Sequence, residues 1–250
     1  ILACDRIGKG RMAEPPEILT HIQSLLHTKG QRDLSGKRVL ISAGGTREHL
    51  DPVRFIGNPS TGKMGIALAQ AAMHRGAQVT LVHSPMDARL VESVGEMGRA
   101  IAITSAAEMH QAMLKHFSQS DITIMSAAVA DVKPANYSPE KLPKKSLPTA
   151  LPLEPVPDIL AELGHLKQPL QRLIGFAAQT GDIITPALEK MHRKKVDAIV
   201  ANPIDKSNSG FGSDNNQAIF LDNQGRQLEI QPCSKLEMSH HLFDFIKNLE

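Results

Sequence analysis

Aromatic residues are scarce in this 250-residue chain: they make up 3% of it, with no tryptophan and a single tyrosine, Tyr137. Proteins that bind single-stranded nucleic acid stack bases on several aromatic side chains, so this class is disfavoured. An excess of one charge is lacking too, because 28 basic and 26 acidic residues leave a net charge of +2. Without a broad positive surface, neither nucleic acid nor an anionic membrane is an expected partner.

Cysteine is nearly absent, and long apolar runs are missing. Cys4 and Cys233 lie at opposite ends of the chain, without the neighbouring cysteines or histidines of a zinc site. No stretch approaches the roughly 20 apolar residues that cross a bilayer. The opening residues also lack the apolar core of a signal peptide. We therefore expect a soluble, cytoplasmic protein, and the initial isoleucine indicates a piece of a longer polypeptide.

The order of predicted elements indicates an α/β fold. Residues 14–35 hold a predicted helix, PEILTHIQSLLH, followed by the polar connector TKGQRDLSGK. Beyond it, short apolar runs typical of buried strands alternate with runs of helical periodicity. Predicted strands cover 38–43, 77–83, 100–105, 121–127, 173–178 and 197–202, and predicted helices cover 63–76, 106–117, 157–163 and 186–195. This alternation predicts a mainly parallel sheet with right-handed crossovers.

Two further segments complete the predicted architecture. Residues 132–157 are rich in proline, so we expect little regular structure there, as in a functional lid. Residues 216–232 predict a β-hairpin, followed by a final helix that ends at Glu250. The predicted fold class is therefore a Rossmann-like three-layer α/β fold, with a mainly parallel central sheet flanked by helices and a C-terminal β-hairpin. The predicted main domain spans 37–250, and 1–36 form a tail and linker.

The run GNPSTGKM at 57–64 is close to a phosphate-binding Walker A loop. Met64 stands where that loop needs a serine or threonine, so the run does not predict a nucleotide triphosphatase. Two interpretations stay open. The start of the following helix binds an anion through its N–H groups, or Ser60 and Thr61 are ordinary helix caps.

Unusual residues follow three of the predicted strands, in AGGTRE, SAAVAD and FAAQT. Ligands of open parallel sheets bind beyond the carboxyl ends of the strands. The spacing G-x-G-x-x-G is absent, which disfavours an NAD cofactor. Close helix packing explains the glycines and alanines equally well, but it does not require Arg47 or Asp131.

Charged side chains form a second set of candidates. Lys141 lies on the predicted lid beside Lys144 and Lys145, and these lysines either close over phosphates or belong to a solvated face. Lys190 and Lys194 are four residues apart on one helix face, which suits a polyphosphate or, again, solvent. Asp131 and Asp158 suit a ribose hydroxyl or Mg²⁺, while Asp158 also suits the start of a helix.

At this point the motifs identify a family. The segments ISAGGTREHLDPVRFIGNPSTGKMG, SAAVADVKPANYSPEKLPKK, PVPDIL, GFAAQT, ALEKMHRKK and ANPIDKSNSGFGSDNNQ follow one another over about residues 37–217. In this order the chain resembles the phosphopantothenate-cysteine ligase half of bacterial bifunctional decarboxylase/ligases of coenzyme A biosynthesis. The opening ACDRIGKGRMAEPPEI resembles the end of the flavin-dependent decarboxylase half, with Asp5 in place of the usual glycine. Residues 1–36 are then the decarboxylase tail and linker, and 37–250 the ligase domain.

The resemblance implies a two-step ligation. The carboxylate of 4'-phosphopantothenate attacks the α-phosphate of CTP to form an acyl-cytidylate, and the amine of L-cysteine then displaces CMP. It implies Mg²⁺ with the co-substrate CTP, FMN only in the decarboxylase domain, and a homodimer that belongs to a larger homo-oligomer. Open alternatives are a non-catalytic nucleotide-sensing module and an NAD(P) reductase. The choice between CTP and ATP also stays open from the residues alone.

The resemblance also assigns roles to individual residues. Asn58 is implied to be catalytic in turnover of the acyl-cytidylate, and Lys141 to reach the nucleotide phosphates from the lid. Cys4 corresponds to the acid of the decarboxylase half and is expected to be idle without the flavin domain. The implied CTP-binding residues are Met125, Asp131, Lys141, Pro157, Asp158, Ile159, Leu160, Phe176, Lys190 and Lys194.

Overall fold

An eight-stranded sheet forms the middle of the protein. The computed structural model describes residues 12–95, 98–147, 149–203 and 212–249. The strands are β1 (Arg38–Ala43), β2 (Arg47–His49), β3 (Phe55–Gly57), β4 (Gln78–His83), β5 (Arg99–Ala102), β6 (Ile122–Met125), β7 (Val132–Pro134), β8 (Leu153–Pro155), β9 (Arg172–Gln179), β10 (Ala198–Pro203), β11 (Asn215–Asp222) and β12 (Gln227–Ser234). The helices are α1 (Pro15–Thr28), α2 (Lys63–His74), α3 (Ala88–Gly95), α4 (Ala106–Phe117), α5 (Ile159–Leu166), α6 (Ile184–Lys194) and α7 (Lys235–Lys247), and a 3-10 helix covers Lys144–Ser146.

The strand order of the large sheet is β12-β11-β10-β9-β6-β1-β4-β5. The six strands from β10 to β5 pair in parallel, and the hairpin β11–β12 continues the sheet antiparallel to β10. The central strand β1 is buried from Val39 to Ala43, as expected where helices cover both faces of a parallel sheet. The predicted fold class, including its mainly parallel sheet and its C-terminal hairpin, is confirmed.

Helices cover the two faces of the sheet in separate groups. On one face, α2, α3 and α7 contribute buried side chains to a core that includes Leu68 and Phe243. On the other face, α4, α5 and α6 contribute to a second core that includes Met109 and Leu163. Helix α1 packs on the outside of the first group, against α7 and α2. The face of the sheet on which a side chain lies therefore determines which helices it contacts.

Several local features differ from the predictions. Helix α3 is not among the predicted elements, because it is only eight residues long. The predicted strand at 100–105 is shorter, since Ser105 already caps α4 by accepting a hydrogen bond from the N–H of Glu108. Two small antiparallel sheets, β2–β3 and β7–β8, lie within the predicted loops.

Some predictions fall outside the described residues. These are the decarboxylase-like opening with Cys4, part of the ANPIDKSNSGFGSDNNQ segment, and Glu250. The domain boundary between residues 36 and 37 stays a prediction. Within the described ranges, no helix has the length and apolar character needed to cross a membrane.

Candidate active site at the carboxyl ends of the strands

The order of the strands creates a crevice at β1. Strands β4 and β5 lie on one side of β1, while β6 and β9 lie on the other. In open parallel sheets, ligands bind beyond the strand ends at this kind of reversal. The loops that follow β1 and β6 meet here, because Gly45 and Ala128 form a parallel bridge. The N–H of Ala128 also donates to the carbonyl of Gly44 at 2.8 Å.

Hydroxyl groups hold the same two loops together. The Ser126 hydroxyl donates to the carbonyl of Ser42 at 2.6 Å, and the Ser42 hydroxyl accepts from the N–H of Ala127 at 3.2 Å. The Thr46 hydroxyl accepts from the N–H of Ala130 at 2.9 Å. Both Ser42 and Thr46 are fully buried. Sequence reasoning missed them, and the signal was a hydroxyl residue in or just after an apolar strand.

Asn58 lies against the loop that follows β6. Its side-chain amide donates to the carbonyls of Ala128 and Val129, both at 3.3 Å. A Cβ at Gly45 would lie 2.6 Å from the carbonyl oxygen of Asn58, so only glycine lets the two backbones come this close. The two amide hydrogen bonds are long, and hydrogen bonds of this length are weak. A substrate oxygen can therefore replace one of them.

A pocket of about 120 Å³ opens at the loop that follows β6, on the α2 and α7 face of the sheet. Pockets that enclose a whole small-molecule ligand usually measure about 300–1,000 Å³. This one can enclose only part of a nucleotide, so the rest would extend over the open edge. Its lining residues are Ser60, Thr61, Met64, Ser126, Ala127, Ala128, Phe176, Ala178, Asn202, Gly212, Asn216 and Lys235.

The first turn of α2 borders the pocket without a side-chain cap. Gly62 precedes the helix with φ +78°, and the Ser60 hydroxyl accepts from the N–H of Gly62 at 3.4 Å. The interpretation of Ser60 and Thr61 as ordinary caps is therefore wrong. Lys63 forms an ion pair with Asp214 at 2.7 Å. Among the residues that the structure describes, no side chain accepts a hydrogen bond from the first N–H groups of α2, which favours an anion in the pocket.

On the opposite face of the sheet, α5 and α6 bring charged side chains to the end of β9. The Lys190 amine donates to the carbonyl of Phe176 at 2.8 Å. Lys194 forms an ion pair with Asp158 at 2.9 Å. The Asp158 carboxylate also accepts from the N–H of Ala161 at 3.1 Å, so the prediction that Asp158 starts a helix is confirmed.

The charges in this group shift one another's pKa. Burial lowers the pKa of Lys190 to about 8, and the charge of Lys194 acts in the same direction, against the carboxylates of Asp158 and Asp131. Burial alone would raise the pKa of Asp158, but the hydrogen bonds from Lys194 and Ala161 hold it below its usual value. Lys190 therefore changes its charge close to neutral pH, where an incoming anion would favour the protonated form.

Phe176 connects the two faces, because its side chain lines the pocket while its carbonyl oxygen binds Lys190. Three other residues predicted to bind the nucleotide have side chains buried in the core: Met125, Ile159 and Leu160. Their side chains stabilise the fold, so any contact with a ligand is left to their backbone. Pro157 and Asp131 are exposed at the same edge of the sheet.

Lys141 lies on the loop between β7 and β8, and that loop is anchored by a residue that the sequence analysis missed. The Asp51 carboxylate is fully buried and accepts from the N–H groups of Val53 and Arg54, both at 2.8 Å, and from that of Leu142 at 3.2 Å. The Arg54 guanidinium forms an ion pair with the same carboxylate. Burial would raise the pKa of Asp51, but these hydrogen bonds lower it to about 2.

The amine of Lys141 has no hydrogen bond or ion pair with the rest of the described chain, and Lys144 and Lys145 are exposed like it. Its role at the phosphates stays a prediction. Arg47 lies elsewhere: its guanidinium stacks over the Phe55 ring at 4.9 Å, in a separate cleft of about 570 Å³. The prediction that strand-end residues converge therefore does not extend to Arg47.

Replacing Asp51 with asparagine should lower the melting temperature by roughly 5 °C at pH 7, because a buried acceptor of several hydrogen bonds loses its charge. In the parent protein, Asp51 contributes stability above pH 4, and this contribution is lost as the pH falls towards 2. The acid sensitivity of Asp51→Asn should be correspondingly smaller. Thermal unfolding between pH 7 and pH 2 measures both effects.

The exposed pair of Asp87 with Arg89 provides the control. Asp87→Asn should leave the melting temperature within about 1 °C, as expected for a surface ion pair. An Asp51→Asn protein as stable as Asp87→Asn at every pH would contradict the anchoring role.

Comparison with known proteins finds one matching family over most of the chain. Residues 34–249 match the family described as the DNA/pantothenate metabolism flavoprotein C-terminal domain. A relative from an unidentified prokaryote, named cysteine/cysteine sulfinic acid decarboxylase, is 44% identical over 88% of this chain and 61% of its own length. The coenzyme A biosynthesis bifunctional protein CoaBC of Bacillus subtilis is 41% identical over 99% of this chain and 60% of its own length.

A solved structure repeats the fold. The crystal structure of the C-terminal domain of a coenzyme A biosynthesis bifunctional protein CoaBC aligns with a TM-score of 0.73 and 34% identity, over 87% of this chain and 97% of that one. The chain spans about three fifths of the length of the two relatives above. With the match over 34–249, the chain belongs to the family of DNA/pantothenate metabolism flavoprotein C-terminal domains.

Proposed function

We propose that this chain ligates 4'-phosphopantothenate to L-cysteine at the expense of CTP, through an acyl-cytidylate, as a step of coenzyme A biosynthesis. The observation that carries the proposal is the convergence of Asn58, the uncapped start of α2, and the group formed by Lys190, Lys194 and Asp158 at one edge of the sheet. Relatives at about 40% identity named for coenzyme A biosynthesis support it.

In the first step, a carboxylate oxygen of 4'-phosphopantothenate attacks the α-phosphorus of CTP. A new P–O bond forms, the bond to the β-phosphate oxygen breaks, and pyrophosphate leaves with the electron pair. The negative charge that spreads over the phosphates needs positive partners. Lys190, the N–H groups of α2 and Lys141 would supply them.

In the second step, the amine of L-cysteine attacks the acyl carbon and CMP leaves. The acyl C–O bond to the phosphate of CMP breaks, and the proton that the amine loses passes to solvent water as the amide bond forms. The acyl oxygen gains charge in the transition state, and the side-chain amide of Asn58 would donate to it. This donation requires the exchange of one of its two 3.3 Å hydrogen bonds.

Mg²⁺ is expected with the triphosphate, and the chemistry of the residues fits it. Mg²⁺ in nucleotide sites takes one or two carboxylates together with phosphate oxygens and water. Asp131 offers an exposed carboxylate close to Lys190, while that of Asp158 is paired with Lys194. Asp131 would thus hold either the ion or the ribose. When bound, Mg²⁺ would neutralise phosphate charge.

The test is a coupled assay of pyrophosphate release with CTP or ATP, with and without cysteine. We expect release that requires CTP and 4'-phosphopantothenate, and CMP release that also requires cysteine. A protein that binds CTP without releasing pyrophosphate would instead be a nucleotide-sensing module. A chain whose melting temperature does not respond to CTP and Mg²⁺ would contradict the proposal. The homodimer and its larger assembly stay predictions.

A further inference from the structure

Helices α1 and α7 bring together three side chains that can bind a metal ion. His27 lies in the last turn of α1, and His241 and Asp244 lie one turn apart on α7. One ligand atom from each lies within 4.8 Å of the other two. In the part of the chain that the structure describes, no other three histidine, cysteine or acidic side chains meet in this way. The cluster is remote in the fold from the strand ends that carry the candidate active site.

The carboxylate of Asp244 is held in place by a second ion pair, outside the cluster. One oxygen of Asp244 pairs with the Arg75 guanidinium at 2.7 Å, while the other lies 2.8 Å from Nε2 of His27. Arg75 is itself buried and binds both oxygens of Asp33, at 2.6 and 2.8 Å. Partners of this kind orient the ligands of natural metal sites. The Asp244 oxygen nearest His27 is the one left for an ion.

Ring contacts orient the imidazoles of His27 and His241. The ring of His27 stacks on that of His240 at 4.9 Å and meets that of His241 edge-on at 5.0 Å. The side chains of His27, His241 and Asp244 are 22%, 38% and 49% exposed, so an ion can enter from solvent and keep water as a further ligand.

The charges around the cluster do not repel a cation. Asp33 and Asp244 balance Arg75 and Lys247, which lies 3.2 Å from Asp33. The carboxylate of Glu237 lies 4.0 Å from Nε2 of His241 and adds negative charge. Two imidazoles and one carboxylate form a donor set that suits Zn²⁺, whereas Mg²⁺ prefers oxygen ligands alone.

We propose that His27, His241 and Asp244 form a Zn²⁺ site that clamps α1 onto α7. The ion would bridge the helix that precedes the sheet and the last helix of the domain. The proposal does not depend on the ligase function, because none of its ligands lines the candidate active site. The competing explanation is a simple hydrogen-bonded ion pair between His27 and Asp244.

The test uses the purified chain, stripped of metal with a chelator and titrated with Zn²⁺ against a chromophoric competitor. We expect one Zn²⁺ per chain, at least a 10-fold loss of affinity in His27→Gln and in His241→Gln, and no displacement by millimolar Mg²⁺. Saturating Zn²⁺ should raise the melting temperature of the parent by several degrees and that of the two variants much less.

His192→Gln is the matched control, because His192 is an exposed histidine of α6, outside the cluster. It should bind Zn²⁺ like the parent. The proposal is overturned if the parent does not bind Zn²⁺, or if His27→Gln and His241→Gln bind it as tightly as His192→Gln does. Circular dichroism of the three metal-free variants checks that each is folded, so weak binding cannot arise from unfolding.

Discussion

Asn58→Ala should lower the rate of ligation by about 10²–10³-fold, the usual effect of removing one donor to a developing oxyanion. In the proposed mechanism the first step does not use this amide, so pyrophosphate release should persist for a single turnover. The variant should then accumulate the acyl-cytidylate. A rapid-quench experiment with radiolabelled CTP measures the burst of pyrophosphate and the trapped intermediate.

Asn58→Asp tests the same role with a side chain of the same size. A carboxylate cannot donate to the carbonyls of Ala128 and Val129 and would be repelled by them. The Asn58→Asp variant should therefore ligate as slowly as Asn58→Ala. Asn223→Ala, in the exposed turn of the β11–β12 hairpin, serves as control and should keep parental activity. Ligation by either Asn58 variant at more than half the parental rate would remove Asn58 from the mechanism.

Lys190→Met should weaken CTP binding at least 10-fold at pH 7, because it removes a half-buried positive charge at the end of β9. The pH dependence gives the more specific result. With a pKa of about 8, Lys190 loses its proton as the pH rises from 7 to 9, so the affinity of the parent for CTP should decline over this range. The charges that face Lys190 are those of Lys194, Arg193, Asp158 and Asp131.

In Lys190→Met this decline should be largely absent. Calorimetry of CTP binding between pH 7 and 9 measures both the affinity and the proton that Lys190 takes up. The same variant should not be less stable, because the ammonium group is buried at a cost that lowers its pKa. That cost acts below pH 8 and fades as the pH rises towards 10.5. Lys115→Met, on the surface of α4, is the control, and equal CTP affinities of the two variants would contradict the role of Lys190.

Much of the fold follows from local patterns. The strand residues Val39–Ala43 form a short continuous buried run, whereas the alanine-rich helix α2 has apolar residues at helical spacing, and this difference can be seen in the sequence. The three-residue strands β2, β3, β7 and β8 cannot be recognised in this way, because each is too short for a pattern and exists only through its pairing with another short strand. Helix α3 is only eight residues long, and the sequence analysis assigns no element to its residues.

The residues of the candidate site likewise fall into those that the sequence predicts and those that it does not. The sequence alone predicts which types of residue follow each strand. It also predicts Asn58, Asp158 and the two lysines of α6 as site residues, and their approximate order along the sheet edge. The buried carboxylate of Asp51 and the hydroxyls of Ser42 and Thr46 gave no clear pattern. The hydroxyls of Ser42 and Thr46 accept hydrogen bonds from residues more than 80 positions away, and Asp51 joins its local partners to Leu142, 91 positions away.

The scarcity of aromatic residues and of net charge by itself disfavoured a broad nucleic-acid surface and left a local anion site as the alternative. Only the tertiary structure decided how that site is divided between the two faces of the sheet, with the pocket on the α2 side and Lys190 on the α6 side. It also decided that His27 meets Asp244, 217 residues further along the chain. The physical reason is that periodicity fixes which side of an element is buried, whereas strand order and crossovers determine which elements meet there.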